Sequence, residues 1–183
     1  MKKIILAAMA VSMASTPAFA ASTDTKDFDI NARVTPECSM ENPSNINLGS
    51  LSINRAPGSD ALLLNEVATS GSQSVWVSCN YVTDIVLETL NKGLLTTSPV
   101  TDTAQFTNKI FYGLEFAPTT PGAFEGSSSH KPRVQANPRT FAQTKEFHDQ
   151  AKISVTLEAL SVNNKRPVAG TYSDTVTITL GTI

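Results

Sequence analysis

From Thr171 to Leu180 the chain alternates: Tyr172, Val176, Ile178 and Leu180 take one parity, while Thr171, Thr175, Thr177 and Thr179 take the other. Successive side chains of a strand point to opposite faces, so this pattern predicts a strand with one dry face, fed by a turn at Ala169 and Gly170. Its Val, Ile and Thr residues branch at Cβ and suit a pleated surface. Asp174 alone breaks the dry parity. A strand so near the end of the sequence must find its partners earlier in the chain or in another molecule, which makes its edges the first functional question.

The same period runs through the rest of the chain. Phe28, Ile30, Ala32 and Val34 alternate with Asp27, Asn31, Arg33 and Asp29, and Thr35-Pro36 then punctuates the segment just before Cys38. Ile46 to Ile53 alternates with a parity shift across Gly49 and Ser50, as a β-bulge would require. Arg55 to Asp60 reads as a loop around Pro57-Gly58. Val75, Val77, Cys79 and Tyr81 form one face of a further strand, with Trp76 on the other, and Ile85 to Leu90 reads as another, ended by the turn residues Asn91-Lys92-Gly93. Ile110, Tyr112, Leu114 and Phe116 alternate up to Pro118, and Ile153, Val155, Leu157 and Ala159 form the penultimate strand. Between these last two, Thr119 to Asn137 is rich in Pro, Gly and Ser and predicts a long surface loop, and Phe141 to Gln150 has room for a helical turn. Short strands separated by turn signals, with no helical stripe and no internal repeat, predict an all-β sandwich.

Composition narrows the setting. A chain of 183 residues with 40% hydrophobic content suits one domain with a sizeable core. With 16% charged residues and a formal net charge of -2 there is no basic field for nucleic acid or an anionic membrane surface. Lys2 and Lys3, the apolar run Ile4 to Met13, and the small-x-small site Ala18-Phe19-Ala20 read as a secretory signal peptide, with the mature chain starting at Ala21. In an oxidising compartment the two cysteines, Cys38 and Cys79, are expected to form one disulfide. They have no Cys-x-x-Cys spacing, and His130 and His148 show no ligand spacing to either, so no metal site is expected.

Candidate chemistry is thin. Gly126-Ser-Ser-Ser-His130 holds a serine and a histidine but is not the Gly-x-Ser-x-Gly elbow and lacks its strand-turn-helix context, so it reads as a solvated loop. Glu146 and His148 could move a proton, but no partner group is placed beside them, and a surface role is favoured. No Gly-rich loop precedes a helix to cradle a phosphate. Trp76 and Tyr81 could form a carbohydrate platform, although their place inside alternating strands favours core packing or cross-strand cover. No catalytic residue, cofactor or metal is expected.

Several of these features together resemble one family. The exported β domain, the cysteines about forty residues apart, Val77-Ser78-Cys79-Asn80, Tyr112 within an aromatic strand, and the ending from Ala169 to Leu180 are similar to the spore coat protein U domain, shared with Csu-type archaic chaperone-usher pilins. The start at Lys26 to Val34 and the Thr-Leu-Gly ending also resemble alpha-type fimbrial subunits, which usually lack the cysteine pair, so the clade stays open. The resemblance implies an incomplete immunoglobulin-like sandwich, completed by a donor strand from a neighbouring subunit. It divides the chain into a signal peptide (1–20), an amino-terminal donor extension (21–37) and a pilin domain (38–183). It assigns Phe28, Ile30, Ala32 and Val34 to the donor strand, and Tyr172, Val176, Ile178 and Leu180 to the wall of the acceptor groove. It leaves Gly181 to Ile183 without a role.

The partners that follow are other pilin subunits, a periplasmic chaperone, an outer-membrane usher and a host or abiotic surface, with no nucleic acid. The function implied is a structural subunit of a surface fimbria, supporting adhesion and biofilm formation. Two other readings stand beside it: a tip adhesin or carbohydrate-binding module that uses the loop Thr119 to Asn137, and a secreted hydrolase with a scattered site.

Overall fold

Residues that alternate in polarity along this chain also alternate in burial. The computed structural model describes residues 24–65, 70–158 and 165–181. The expected signal peptide, Ala159 and the Thr182-Ile183 end lie outside these. Twelve strands follow one another: β1 (Cys38–Met40), β2 (Ser70–Cys79), β3 (Asp84–Thr89), β4 (Leu94–Leu95), β5 (Phe106–Thr107), β6 (Lys109–Ile110), β7 (Tyr112–Pro118), β8 (Ser127–His130), β9 (Arg139–Ala142), β10 (Phe147–Leu157), β11 (Arg166–Pro167) and β12 (Val176–Leu180). No helix occurs among the described residues.

The chain divides into two units between Val34 and Thr35. The described part of the first, 24–34, holds no strand. The strand expected over Phe28 to Val34 is therefore not formed within this chain. A strand exists only through a neighbour's hydrogen bonds, and here Phe28, Ile30 and Val34 are 82%, 84% and 81% exposed.

The second unit is all-β. Its larger sheet has the order β1-β2-β10-β7-β8, with antiparallel pairing throughout, and the smaller has the order β12-β3-β9. Val75 and Val77 of β2, Leu114 and Phe116 of β7, and Ala151 and Ile153 of β10 meet Ile85 and Leu87 of β3 and Phe141 of β9 in one core. This is the arrangement of a sandwich, in which inward side chains of both sheets interdigitate. Val176, Ile178 and Leu180 of β12 pack against the same cluster. Two short pairs, β4 with β6 and β11 with β5, lie outside the main sheets.

Cys38 and Cys79 are bonded, and they face each other as register partners on β1 and β2. The expected disulfide is present. It gives covalent support to a β1 of only three residues.

Three expectations are corrected. Ile46 to Ile53 alternates in burial, with the shift at Gly49 and Ser50, yet it forms no strand, only the single bridge Ile53 to Leu64. Gln73 holds this segment by clasping Ser44, accepting from its N–H at 2.7 Å and donating to its carbonyl at 2.6 Å. The region Thr119 to Asn137 is not all surface loop: it contains β8, and Phe124 and His130 are buried. Gly126 permits this, because a Cβ there would collide with the Phe116 carbonyl oxygen. Finally, β9 and β10 replace the helical turn expected over Phe141 to Gln150.

His130 is fully buried. The Gln135 Oε1 accepts from the Lys131 N–H at 2.7 Å and from Arg139 at 3.0 Å, so it is an oxygen, and the His130 Nδ1 beside it at 3.0 Å must be the donor. The Nε2 is then bare and has no partner among the described residues. Protonation would place a second N–H there with no acceptor, and burial, together with the Arg139 charge, holds the ring below the ordinary histidine value despite the Gln135 bond.

Two outcomes are expected of this fold. Cys38→Ala/Cys79→Ala should lose about 4 kcal/mol through the freed unfolded-state loop, read as a lower urea midpoint; a loss below ~1 kcal/mol would show that the bond does not act in this way. His130 takes up its proton less readily when folded than when unfolded, where it titrates near pH 6.5. The unfolded state therefore binds more protons below that pH, and stability should fall as pH drops from 6.5 towards 5.5. Denaturation midpoints across that range should lose this slope in His130→Gln.

Candidate functional site

β12 is the last strand of the smaller sheet and pairs on one side only, with β3. Among the described residues no strand is hydrogen-bonded to its other edge. Beside it opens a cleft of about 1420 Å³. Its floor is apolar: Ile110 of β6, Tyr112 and Leu114 of β7, Ile153 and Val155 of β10, and Val176 of β12. These lie on the inward parities of four strands, and Ile110, Tyr112, Leu114 and Ile153 are themselves buried. Ile46, Leu48, Leu51 and Ile53 form a second wall. That wall approaches closely because β2 has a glycine where it passes: a Cβ at Gly71 would strike the Ile46 Cγ2. A third wall is the turn that ends in Leu62 and Leu64.

One end of the cleft is polar, and it explains the residue that breaks the dry parity. The Asp174 carboxylate accepts from the Asn91 N–H at 2.8 Å, the Gly93 N–H at 3.1 Å and the Tyr112 hydroxyl at 2.9 Å. It thus holds the turn after β3, where Lys92 has φ 55, and joins that turn to β7 across the sandwich. Burial, and then the negative charge of Asp174, push the Tyr112 phenol far above its ordinary value. The Tyr172 hydroxyl donates to the Val168 carbonyl at 2.7 Å, and burial raises its pKa as well.

Of the residues expected to form the groove strand, Tyr172 and Val176 line the cleft, while Ile178 and Leu180 pack on the core further along. The expected donor residues Phe28, Ile30, Ala32 and Val34 are exposed in the first unit. No family model matches the chain, and no curated protein does.

The other candidate chemistry is separated by the fold. His130 is in the core, whereas His148 is on the outer face of the larger sheet, hydrogen-bonded through Nδ1 to the Ser78 hydroxyl and stacked on Trp76 with centroids 4.9 Å apart. Trp76 and His148 are diagonal neighbours, since Trp76 pairs with Gln150 and Ser78 with His148. Cross-strand cover is thus the role Trp76 takes, although it remains 42% exposed. Among the described residues Glu146 and His148 are not hydrogen-bonded to each other. Among the described residues no three His, Cys, Asp or Glu side chains converge as a metal site would need.

The walls were not legible in advance. Leu62 belongs to a run of leucines in a loop, Phe106 to a two-residue strand, and neither shows a period. Gly71 lies ahead of the alternating run Val75 to Tyr81, so its close approach to Ile46 was not marked either.

Because Asp174 supplies acceptors to a buried hydroxyl and two turn N–H groups, Asp174→Ala should cost ~2–4 kcal/mol, and Tyr112→Phe about 1 kcal/mol. In guanidinium unfolding the double variant should lose less than the two single losses together. Strict additivity would mean that the pair does not act as one unit.

Proposed function

We propose that this protein is a structural subunit of a surface pilus, exported through the periplasm and assembled by the chaperone-usher pathway through donor-strand exchange. In this reading the sandwich is immunoglobulin-like and short of one strand. A periplasmic chaperone lends that strand, and at an outer-membrane usher the residues Phe28 to Val34 of another subunit replace it. The fibre so formed supports adhesion and biofilm formation.

The observation that carries the reading is the unpaired edge of β12, whose first residue, Val176, lines an open cleft with an apolar floor, in a chain that also carries an unpaired alternating segment. Each feature is a liability alone. An exposed edge and a large apolar hollow invite aggregation, and three large apolar side chains more than four-fifths exposed gain nothing from solvent. Joined between copies, they complement each other. The incoming backbone bonds to the β12 edge, while its alternate side chains fill the cleft. Burying Phe28, Ile30 and Val34 would contribute roughly 5–9 kcal/mol before ordering costs, enough to make the side chains decide affinity.

Parity provides the test. Ile30→Asp places a carboxylate in a dry groove at a cost of several kcal/mol, so the subunit should fold with its chaperone yet form no fibre. Asn31→Asp, on the wet parity, should assemble normally. The measurement is the ladder of detergent-resistant oligomers on a gel, beside thermal melting of the chaperone complex. Fibres from Ile30→Asp, or a subunit that is unfolded even with chaperone, would falsify the assignment.

A further inference from the structure

The turn segment between Ile53 and Leu64 belongs to neither main sheet. It closes on itself through the bridge Ile53 to Leu64, with Leu62 N–H donating to the Asn54 carbonyl at 2.7 Å and Asn54 N–H donating to the Leu63 carbonyl at 2.7 Å. One side chain from elsewhere ties it down. Arg166 on β11 donates from Nε to the Ala61 carbonyl at 2.7 Å and from a terminal nitrogen to the Ser59 carbonyl at 2.6 Å, while the other terminal nitrogen reaches Gln105 at 2.9 Å. The rigid guanidinium fork thus fixes the height of the hairpin over the cleft.

Within this hairpin Leu62 is anomalous. Its φ is 65, a left-handed conformation that bulky L-residues rarely adopt and that Gly or Asn tolerates. Gly58, at the tip, takes φ 134 with a residue suited to it. Such strain persists where the surroundings impose it and is concentrated at functional sites. Yet the Leu62 side chain is 44% exposed and lines the cleft, so the free chain obtains little burial in return.

We infer that Leu62 is an affinity-determining residue of the groove: the Arg166-tethered hairpin is a clamp that closes its apolar side chain onto a strand seated in the cleft. The inference rests on the donor-strand reading above, and its occupant is residues 27–34 of a second copy of this chain. That segment is unpaired, exposed and alternating, and Val176, at the start of β12, lines the same cleft. The aliphatic surface of Leu62 is then covered on assembly and left bare before it. Arg166 acts as a positioning residue, since it touches the hairpin rather than the seated strand.

The test uses the full mature chain carrying Ile30→Asp, which holds it monomeric, and a fluorescent synthetic peptide of residues 24–37 with the native sequence. Leu62→Asn in that background removes the apolar contact while suiting the left-handed backbone. The urea midpoint should stay equal or rise, and the peptide should leave about ten times faster. Arg166→Met should also speed release, by loosening the hairpin. If the peptide binds but its release is unchanged by Leu62→Asn, or if the midpoint falls in step with binding, the clamp is wrong and the donor reading stands. A peptide that does not bind the Ile30→Asp chain at all, although the urea transition shows that chain to be folded, overturns the donor reading itself.

Discussion

A strand at the edge of a sheet turns half of its N–H and C=O groups towards whatever lies beside it, and those groups must bond to water or to another strand. β12 is such a strand, and most of the architecture around it maintains that condition. On its inner side five residues pair with β3. Just before it, Asp174 is fixed by the turn after β3 and by Tyr112. Just after it, Gly181 donates to the Asp84 carbonyl. β12 is held at both ends and along one edge, so the other edge keeps a defined line with no strand paired to it among the described residues.

The cleft beside it has walls of irregular backbone, and these carry polar groups that no ladder satisfies. Single side chains meet that need. Gln73 serves both backbone groups of Ser44, Asp174 serves two N–H groups of a turn, and Arg166 serves two carbonyls of the hairpin. Each ties irregular backbone to another element, so the cleft keeps its shape through polar contacts while its floor stays apolar. An apolar wall without these anchors would be expected to collapse onto the floor and close the hollow.

Strands whose two faces differ in polarity could be read from the sequence: β2, β7, β12 and the second half of β10 each match an alternating run. β8 and β9 could not, because polarity there does not track burial. Ser127 and His130 are buried while Ser128 and Ser129 are exposed, and Phe141 is the single large apolar residue of β9. Ile46 to Ile53 failed in the opposite sense. Its alternation serves a wall that packs on a glycine instead of a strand that pairs. The candidate site was legible along the last alternating run, at Tyr172 and Val176. It was hidden where the chain brings distant loops together, since nothing local marks Leu62 or Arg166 as neighbours of the same hollow.

The disulfide sits at the point where the chain enters the second unit, three residues after Thr35. In a fibre of the proposed kind, a pull on one subunit would arrive through its amino-terminal segment and reach Cys38 first. Three residues of β1 pairing could peel apart one bond at a time. Through Cys79 the tension passes instead by a covalent route into β2, whose ten residues are hydrogen-bonded to β10 along their length. The bond would therefore set mechanical strength as well as equilibrium stability, by making the broad sheet yield as a whole in place of its weakest strand.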